Sequence, residues 1–367
     1  MKGLYFIDTD VRNTRAHTSQ ILHTVAALDP YVEVDIVAPR YDGPVDLEGI
    51  RDRHGLAAAP RVIRIPVFGF KHPGSLAFAC FNIPAIVFLV RHRKETSFIY
   101  IRSNLLFPIA LSAACLRIPR YYETHRKPLT WTARLYDYLM TKTATGIVVI
   151  SEHLRARYAA YAKRILVAHD AVSFGRFGDT LQKAEARKRC GITDAHPVCV
   201  YAGTVSRLKG ADVAIAAARL MPDIDFYLVG QVEPAVAALD LPANIILTGR
   251  KEQEDVPVFL RAADVLLLPH PRGEYSQSPM KLFEYMASGV PIVASRLPSV
   301  CEVLDDTNAI LVEPEDVHSL VEGIRQVVAD PRRAAPRAEK ARQDVEAYTW
   351  EKRGAAIALF IKDTLSV

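Results

Sequence analysis

The sequence predicts an α/β protein built from two doubly wound, Rossmann-like halves. Short apolar runs alternate with amphipathic stretches along the whole chain, which implies parallel strands joined by helices. The chain has 367 residues, long for one domain, and half of them are apolar, enough for two cores. Charge divides the same way. Residues 1–165 carry a net charge of +10 and residues 166–367 a net charge of −5.

In the first half, GLYFID reads as a strand and the stretch from Thr18 to Leu28 as a helix. VEVDIVA and VIRIPVF are strands. The apolar run Leu76–Val90 is broken by Asn82 and Pro84 and followed by RHRK. It falls short of the roughly 20 residues a membrane span needs. A helix buried on a sheet is the first reading, and a membrane-facing element the second. SFIYIRS is a strand that ends in Arg102 and Ser103, and LLFPIALSAACLR is a helix. RYYETH is a strand that ends in Glu123 and His125. TWTARLYDYLMTKT, GIVVIS, SEHLRARYAAY and RILVAH continue as helix, strand, helix and strand, with Ser151 as an N-cap. In a parallel sheet ligands gather at the carboxyl ends of the strands, so these polar residues are candidates for a site.

The second half repeats the scheme. LQKAEARKRC is a helix stopped by Gly191. VCVYAG, DFYLVG, NIILTG and DVLLLPH are strands, and ADVAIAAARLM and EDVPVFLRAA are helices. In SPMKLFEYMASGVPIVAS, Ser278 is a good N-cap and Pro279 suits the first helical position. Gly289 fits a left-handed stop before the strand PIVAS. Leu282, Phe283, Met286 and Ala287 share one helical face, with Lys281 and Glu284 together on the other. The free N–H groups at such a helix start suit a diphosphate. A short helix is expected around SVCEVL, then the strand AILVE, the helix EDVHSLVEGIRQVVAD, a charged stretch, and a closing helix WEKRGAAIALFIKDTL.

Composition narrows the function. Five cysteines are scattered, without CxxC or His/Cys clusters, which favours a reducing compartment over disulfides or structural zinc. The start MKGLYFIDTD is too short in its apolar run for a signal peptide. No RNP-like, zinc-finger or helix-turn-helix pattern supports nucleic acid as a partner. Asp8-Thr9-Asp10 has the spacing to chelate a divalent cation. Asp223-Ile-Asp225 repeats that pattern elsewhere, and no metal or cofactor is expected.

The stretch Ser278–Ser295 resembles the signature helix of the retaining GT-B glycosyltransferases of family 4, the glycosyl transferases group 1. The segment Ile165–Phe177 is similar to that family's hinge. The resemblance implies a GT-B fold, with two Rossmann-like domains facing across a cleft and a C-terminal helix crossing back to the first. Residues 1–170 with 352–367 would form the acceptor side, and 171–351 would bind a UDP- or GDP-linked sugar.

The resemblance also implies residue roles. Glu284 would bind the donor ribose. Gly203, Thr204, Arg207 and Lys209 would form the phosphate loop, with Lys209 stabilising the departing diphosphate. Arg250 and Lys251 would lie at the base. Ser276, Ser278, Pro279, Met280, Lys281 and Leu282 would complete the donor site. His125, Glu274 and Lys209 are the candidate catalytic residues, and Arg12, Arg15, Arg102, Glu123 and His125 the acceptor-side ones.

Three departures stand out. The first loop, DTDVRNTRAHTSQ, lacks glycine, and Thr204 replaces the usual arginine. Counting back from Glu284 puts Ser276 at the first glutamate of the motif, with Glu274 two residues earlier. The expected activity is transfer of a sugar to a glycan or lipid-linked acceptor, in the cytoplasm or peripherally at the inner face of a membrane. The basic first half makes an anionic membrane surface a candidate partner. A non-catalytic glycosyltransferase-like subunit and a nucleotide-sugar epimerase are the alternatives.

Overall fold

The computed structural model describes residues 1–13, 16–67, 75–125, 128, 130–177, 181–193, 196–273 and 280–366, without the side chains of 75–79. Two compact units result, one of residues 1–169 with 350–367 and one of residues 170–349.

The first unit runs β1 (Lys2–Phe6), α1 (Ala16–Leu28), β2 (Glu33–Arg40), α2 (Leu47–His54), β3 (Val62–Pro66), α3 (Ser75–His92), β4 (Phe98–Ile101), α4 (Phe107–Cys115), β5 (Arg120–Thr124), α5 (Trp131–Thr143), β6 (Gly146–Val149), α6 (Glu152–Tyr158) and β7 (Ile165–Val167). Its strands form one parallel sheet in the order β3-β2-β1-β4-β5-β6-β7. Side chains alternate across it as a period of two requires. Leu4 and Phe6 pack with Phe81, Leu89, Ile109 and Met140 on one face. Tyr5 and Ile7 pack with Ile21, Val25, Ile357 and Ile361 on the other.

The second unit runs α7 (Lys183–Cys190), β8 (Val198–Ala202), α8 (Ala211–Arg219), β9 (Asp225–Val229), α9 (Pro234–Ala237), β10 (Ile245–Gly249), α10 (Val256–Ala262), β11 (Val265–Leu268), α11 (Met280–Ser288), β12 (Ile292–Ser295), β13 (Ile310–Val312), α12 (Val317–Ala329) and α13 (Pro331–Asp344). Its sheet is also parallel, in the order β10-β9-β8-β11-β12-β13. Each sheet reverses its winding beside its first strand, between β1 and β4 and between β8 and β11. Ligands of doubly wound sheets bind outside the strand ends at that point.

The last helix, α14 (Trp350–Leu365), belongs to the first unit. Trp350 stacks on His23 with centroids 4.9 Å apart. A Cβ on Gly354 would stand 2.3 Å from the Ala27 carbonyl, so only glycine lets α14 approach α1 this closely.

Three local expectations change. SVCEVL forms successive turns, not a helix. The charged stretch is the helix α13, capped by Asp330, whose side chain accepts from the Arg333 N–H at 3.1 Å. The sequence reading also has no counterpart of α2, capped by Asp46 and closed by Gly55 at φ +63°.

Candidate functional site

The second unit builds its site where β8 and β11 part. Their ladder covers only Val265↔Cys199 and Leu266↔Val200. Beyond it the Tyr285 hydroxyl, fully buried, takes over both strands. It accepts from the Ala202 N–H at 2.8 Å and donates to the Leu267 carbonyl at 3.3 Å. A side chain of α11 therefore fills the gap of two missing backbone groups and fixes that helix against the strand ends. Leu282, Phe283, Met286 and Ala287 bury the expected apolar face, and Gly289 closes the helix at φ +67°.

One turn before Tyr285, Lys281 points into the same corner. Its ammonium donates to the Tyr201 hydroxyl at 3.1 Å and lies 4.4 Å from that ring's centroid. Gly203 makes room for it. The residue has φ +134°, and a Cβ there would stand 1.9 Å from Lys281 Nζ. Gly210 plays a similar part after the 3₁₀ turn Arg207–Lys209, where a Cβ would meet the Pro269 carbonyl at 1.8 Å.

Lys209 and His270 complete the group. Burial lowers the Lys209 ammonium below its ordinary range. Burial, together with the charge of Lys209, brings Lys281 down to about 7. His270 is fully buried, and burial and then the two lysines hold its imidazole in the neutral form. Neither of its ring nitrogens has a hydrogen-bond partner among the described residues. Glu284, on α11, is pushed up by burial against the opposing charges of Arg176 and Lys281. Two lysines and a neutral imidazole thus meet at one partly buried corner at a strand-switch point. That arrangement suits a multiply charged anion.

The other expected donor residues differ in placement. Thr204 and Arg207 are exposed, and the Thr204 carbonyl accepts from the Tyr201 hydroxyl at 2.8 Å. Arg250 is exposed, and Lys251 lies 5.5 Å from the Phe259 ring centroid. Met280 opens α11. Leu282 is 1 % exposed and packed in the core, so its side chain is no ligand. Glu274, Ser276, Ser278 and Pro279 lie outside the described residues. A cavity of about 740 Å³ opens at the amino ends of β8, β11 and β12, beside Lys183, Arg187 and Asp264. It is remote from the strand carboxyl ends, and both cations are paired with Asp264 there.

In the first unit Glu123 corrects an expectation. It is 1 % exposed and fully engaged rather than presented to an acceptor. One carboxylate oxygen accepts from Arg353 at 2.9 Å and from His125, and the other from Tyr100 at 2.5 Å. Burial alone would raise this carboxyl, but Arg353 and then His125 hold it well below the usual range. Arg353 also donates to the His169 carbonyl and the Thr24 hydroxyl, each at 3.0 Å. Arg102 bonds Gln20 and reaches His125 Nδ1 at 3.0 Å. An arginine only donates, so Nδ1 accepts and Nε2 carries the proton toward Glu123. Both ring nitrogens of His125 are occupied. Arg12 binds Asp10 and the Asp42 carbonyl rather than standing ready for a ligand. Arg15 lies outside the described residues.

Tyr285, His270 and Arg353 are absent from the sequence-derived roles. Lys281 is named through the resemblance, and its i,i+4 spacing on α11 could have pointed to Tyr285; His270 ends the quoted strand DVLLLPH and Arg353 lies in the quoted last helix, but neither carries a local signal of its role.

Residues 182–344 match the family described as glycosyl transferases group 1. The chain is 28% identical over 278 residues to the GDP-mannose-dependent alpha-(1-6)-phosphatidylinositol monomannoside mannosyltransferase of Mycolicibacterium smegmatis, covering 69% of this chain and 72% of that protein. Its matches to the curated relatives span from 48% to 72% of their lengths. Among solved structures it is similar to sucrose-phosphate synthase from Thermosynechococcus elongatus, with TM-score 0.80, 18% identity, and coverage of 100% and 99% of the two chains. The Anabaena protein HepE, solved with UDP and glucose, gives TM-score 0.77 at 17% identity, over 99% and 100%. At these identities the structures speak for the fold alone.

Proposed function

Since this chain is a GT-B glycosyltransferase of the glycosyl transferases group 1, we propose that it moves a sugar from a nucleoside-diphosphate donor to an acceptor hydroxyl with retention of configuration. The observation that carries the reading is the corner where Lys209, Lys281 and His270 converge beside Gly203. In this reading the donor's diphosphate lies there, and the two ammonium groups balance the charge that develops as the glycosidic bond breaks. Lys281 supplies the cation that an arginine at position 204 would have given. Glu284 takes the ribose. The acceptor hydroxyl is handled from the first unit near His125, which Glu123 and Arg102 hold in one tautomer. A proton-transfer role for His125 requires Arg102 to release Nδ1. Glu274 is the candidate for contacting the transferred sugar.

The donor nucleotide is UDP or GDP. The mannosyltransferase relative is named for GDP-mannose, and the HepE structure holds UDP. The acceptor is a glycan or a lipid-linked glycan, and we place the enzyme in the cytoplasm, peripheral to the inner face of a membrane.

Thermal stabilisation by a panel of nucleoside diphosphates and their sugars tests this. Ligand at 100 times Kd adds about 2.7 kcal/mol, a shift of a few degrees. One base should stabilise the protein, and Lys209→Ala and Lys281→Met should each abolish most of the shift. No stabilisation by any nucleotide, or stabilisation unchanged in both variants, would remove the donor site from this corner.

A further inference from the structure

Most of the exposed large apolar side chains among the described residues of the first unit lie along one run of neighbouring helices; Met1, Tyr31 and Leu359 lie elsewhere. α3 packs beside α4, and α4 beside α5. Their inner sides are spent on the sheet, through Phe81, Leu89, Ile109, Ala113 and Met140. Their outer sides remain apolar. Trp131 is 74 % exposed and Ile83 70 %, and Val87, Leu111, Leu135 and Tyr138 are exposed as well. The face is stitched together near the strand ends. Asn82 Nδ2 donates to the Leu105 carbonyl at 3.3 Å, Asn104 Nδ2 to the Ala133 carbonyl at 3.1 Å, and Phe107 stacks on Tyr136 at 5.9 Å. A water-facing helix surface normally carries mixed charge, and an apolar patch of this breadth marks an interaction site.

Charge says which kind. Arg91, Arg93 and Lys94 stand exposed at the end of α3, and Arg134 and Lys142 on α5. Between residues 75 and 145 the acids are Glu95, Glu123 and Asp137, and the last two are buried. One exposed carboxylate therefore faces a fringe of cations. A second copy of this chain would set those cations against their own kind, a costly arrangement for a self-complementary contact. Anionic lipid headgroups meet them with opposite charge, and tryptophan and tyrosine side chains are at home at the boundary between headgroups and acyl chains. No helix among the described residues is long and apolar enough to cross a membrane. The three helices fit a surface that rests on the bilayer.

We propose that the outer face of α3, α4 and α5 docks on an anionic membrane, so that a lipid-linked acceptor reaches the ends of β4 and β5 from the bilayer. The docking stands on this surface alone, and only the delivery of an acceptor rests on the glycosyltransferase reading. Arg102 and His125 directly follow β4 and β5, and α4 and α5 begin at Phe107 and Trp131, five and six residues further on.

Flotation of the full chain with phosphatidylcholine vesicles, with and without phosphatidylglycerol, at low and high salt, tests it. Binding should require the anionic lipid and weaken with salt. Replacing Arg91, Arg93 and Lys94 together by glutamine should weaken binding about a hundred-fold. Trp131→Ser with Leu135→Ser should weaken it about tenfold or more. No binding to anionic vesicles, or binding undiminished in both variants, overturns the proposal. A concentration-dependent dimer that Trp131→Ser with Leu135→Ser abolishes overturns it too, in favour of a second copy. Nucleotide stabilisation of the same preparations separates the two readings. Its loss with vesicle binding intact sinks the donor site only, and the reverse outcome sinks this surface only.

Discussion

With the donor's diphosphate at the corner around Lys281, as proposed, donor binding is proton-linked. In the free protein this lysine is held at about 7, by burial and by Lys209. A diphosphate placed against it favours the ammonium form and returns its pKa toward the ordinary lysine range. Above neutral pH, binding must then recruit a proton. Affinity should fall by up to tenfold per pH unit, about 50-fold or ~2.3 kcal/mol between pH 7 and pH 9. A nucleotide-sugar is the ligand to use, because its phosphates do not titrate in this range. Calorimetry in buffers of different ionisation enthalpy should report uptake of close to one proton near pH 8. Lys281→Arg keeps a permanent cation and should flatten the profile. Lys281→Met should flatten it at the weak affinity that the wild type shows at high pH. Stability of the ligand-free protein should move the other way. The unfolded chain binds the proton more readily between about 7 and the ordinary lysine pKa, so stability rises with pH across that window. A flat affinity profile in the wild type, or a slope that survives Lys281→Arg, would refute the reasoning.

Other substitutions probe the supports of the two sites. Tyr285→Phe orphans the Ala202 N–H and the Leu267 carbonyl, and should cost about 1–3 kcal/mol in a urea melt; a loss under half of that means the strands close without the phenol. Gly203→Ala forces a Cβ onto Lys281 Nζ at a φ of +134°, and should abolish nucleotide stabilisation while the chain still folds. If it binds nucleotide normally, Lys281 is not the ligand. Arg353→Met leaves Glu123 buried without its cation and should cost about 3–5 kcal/mol. The double variant with Glu123→Gln should recover a good part of that loss, and strict additivity would exclude the pairing.

The alternation of strand and helix and the character of α11 were legible because each is a short-range property. The apolar face of α11 can be read from spacing alone, and Gly289 marks its end. Polar helices were not legible. α2 buries only Ile50 and His54, and α13 buries only Ala334, Ala338 and Ala341, so neither shows the broad apolar stripe that marks a helix in sequence. SVCEVL carries apolar residues at helical spacing, yet Val300 and Leu304 are buried from a string of turns. At the sites, Lys209 could be named because the family resemblance places a Lys-Gly at a set distance after a strand. The destination of Lys281 depends on Tyr201 and on the missing Cβ of Gly203, about eighty residues away, which no local pattern encodes. Glu123 looked available at a strand end because Arg353, its partner, lies 230 residues further along the chain.

The exchange of arginine for threonine at position 204 has a physical consequence once Lys281 is seen beside Gly203. Arginine is charged at every accessible pH, so an arginine next to Lys209 and His270 would keep the empty corner under permanent repulsion. Lys281, held at about 7, relieves part of that repulsion by giving up its proton in about half of the empty sites at neutral pH. The neutral His270 adds a hydrogen-bonding group without adding charge. Such a corner is stable when empty, and becomes fully cationic only around a diphosphate. The same coupling acts on release. As the nucleoside diphosphate leaves, Lys281 can lose its proton again, so the free energy that held the product is partly returned. Turnover limited by product release should therefore speed up as pH rises above neutral, while donor affinity falls. A variant with arginine at 281 should bind the product more tightly at high pH and turn over more slowly there. Equal product affinity in the two proteins at pH 9 would show that the lysine's titration plays no part in release.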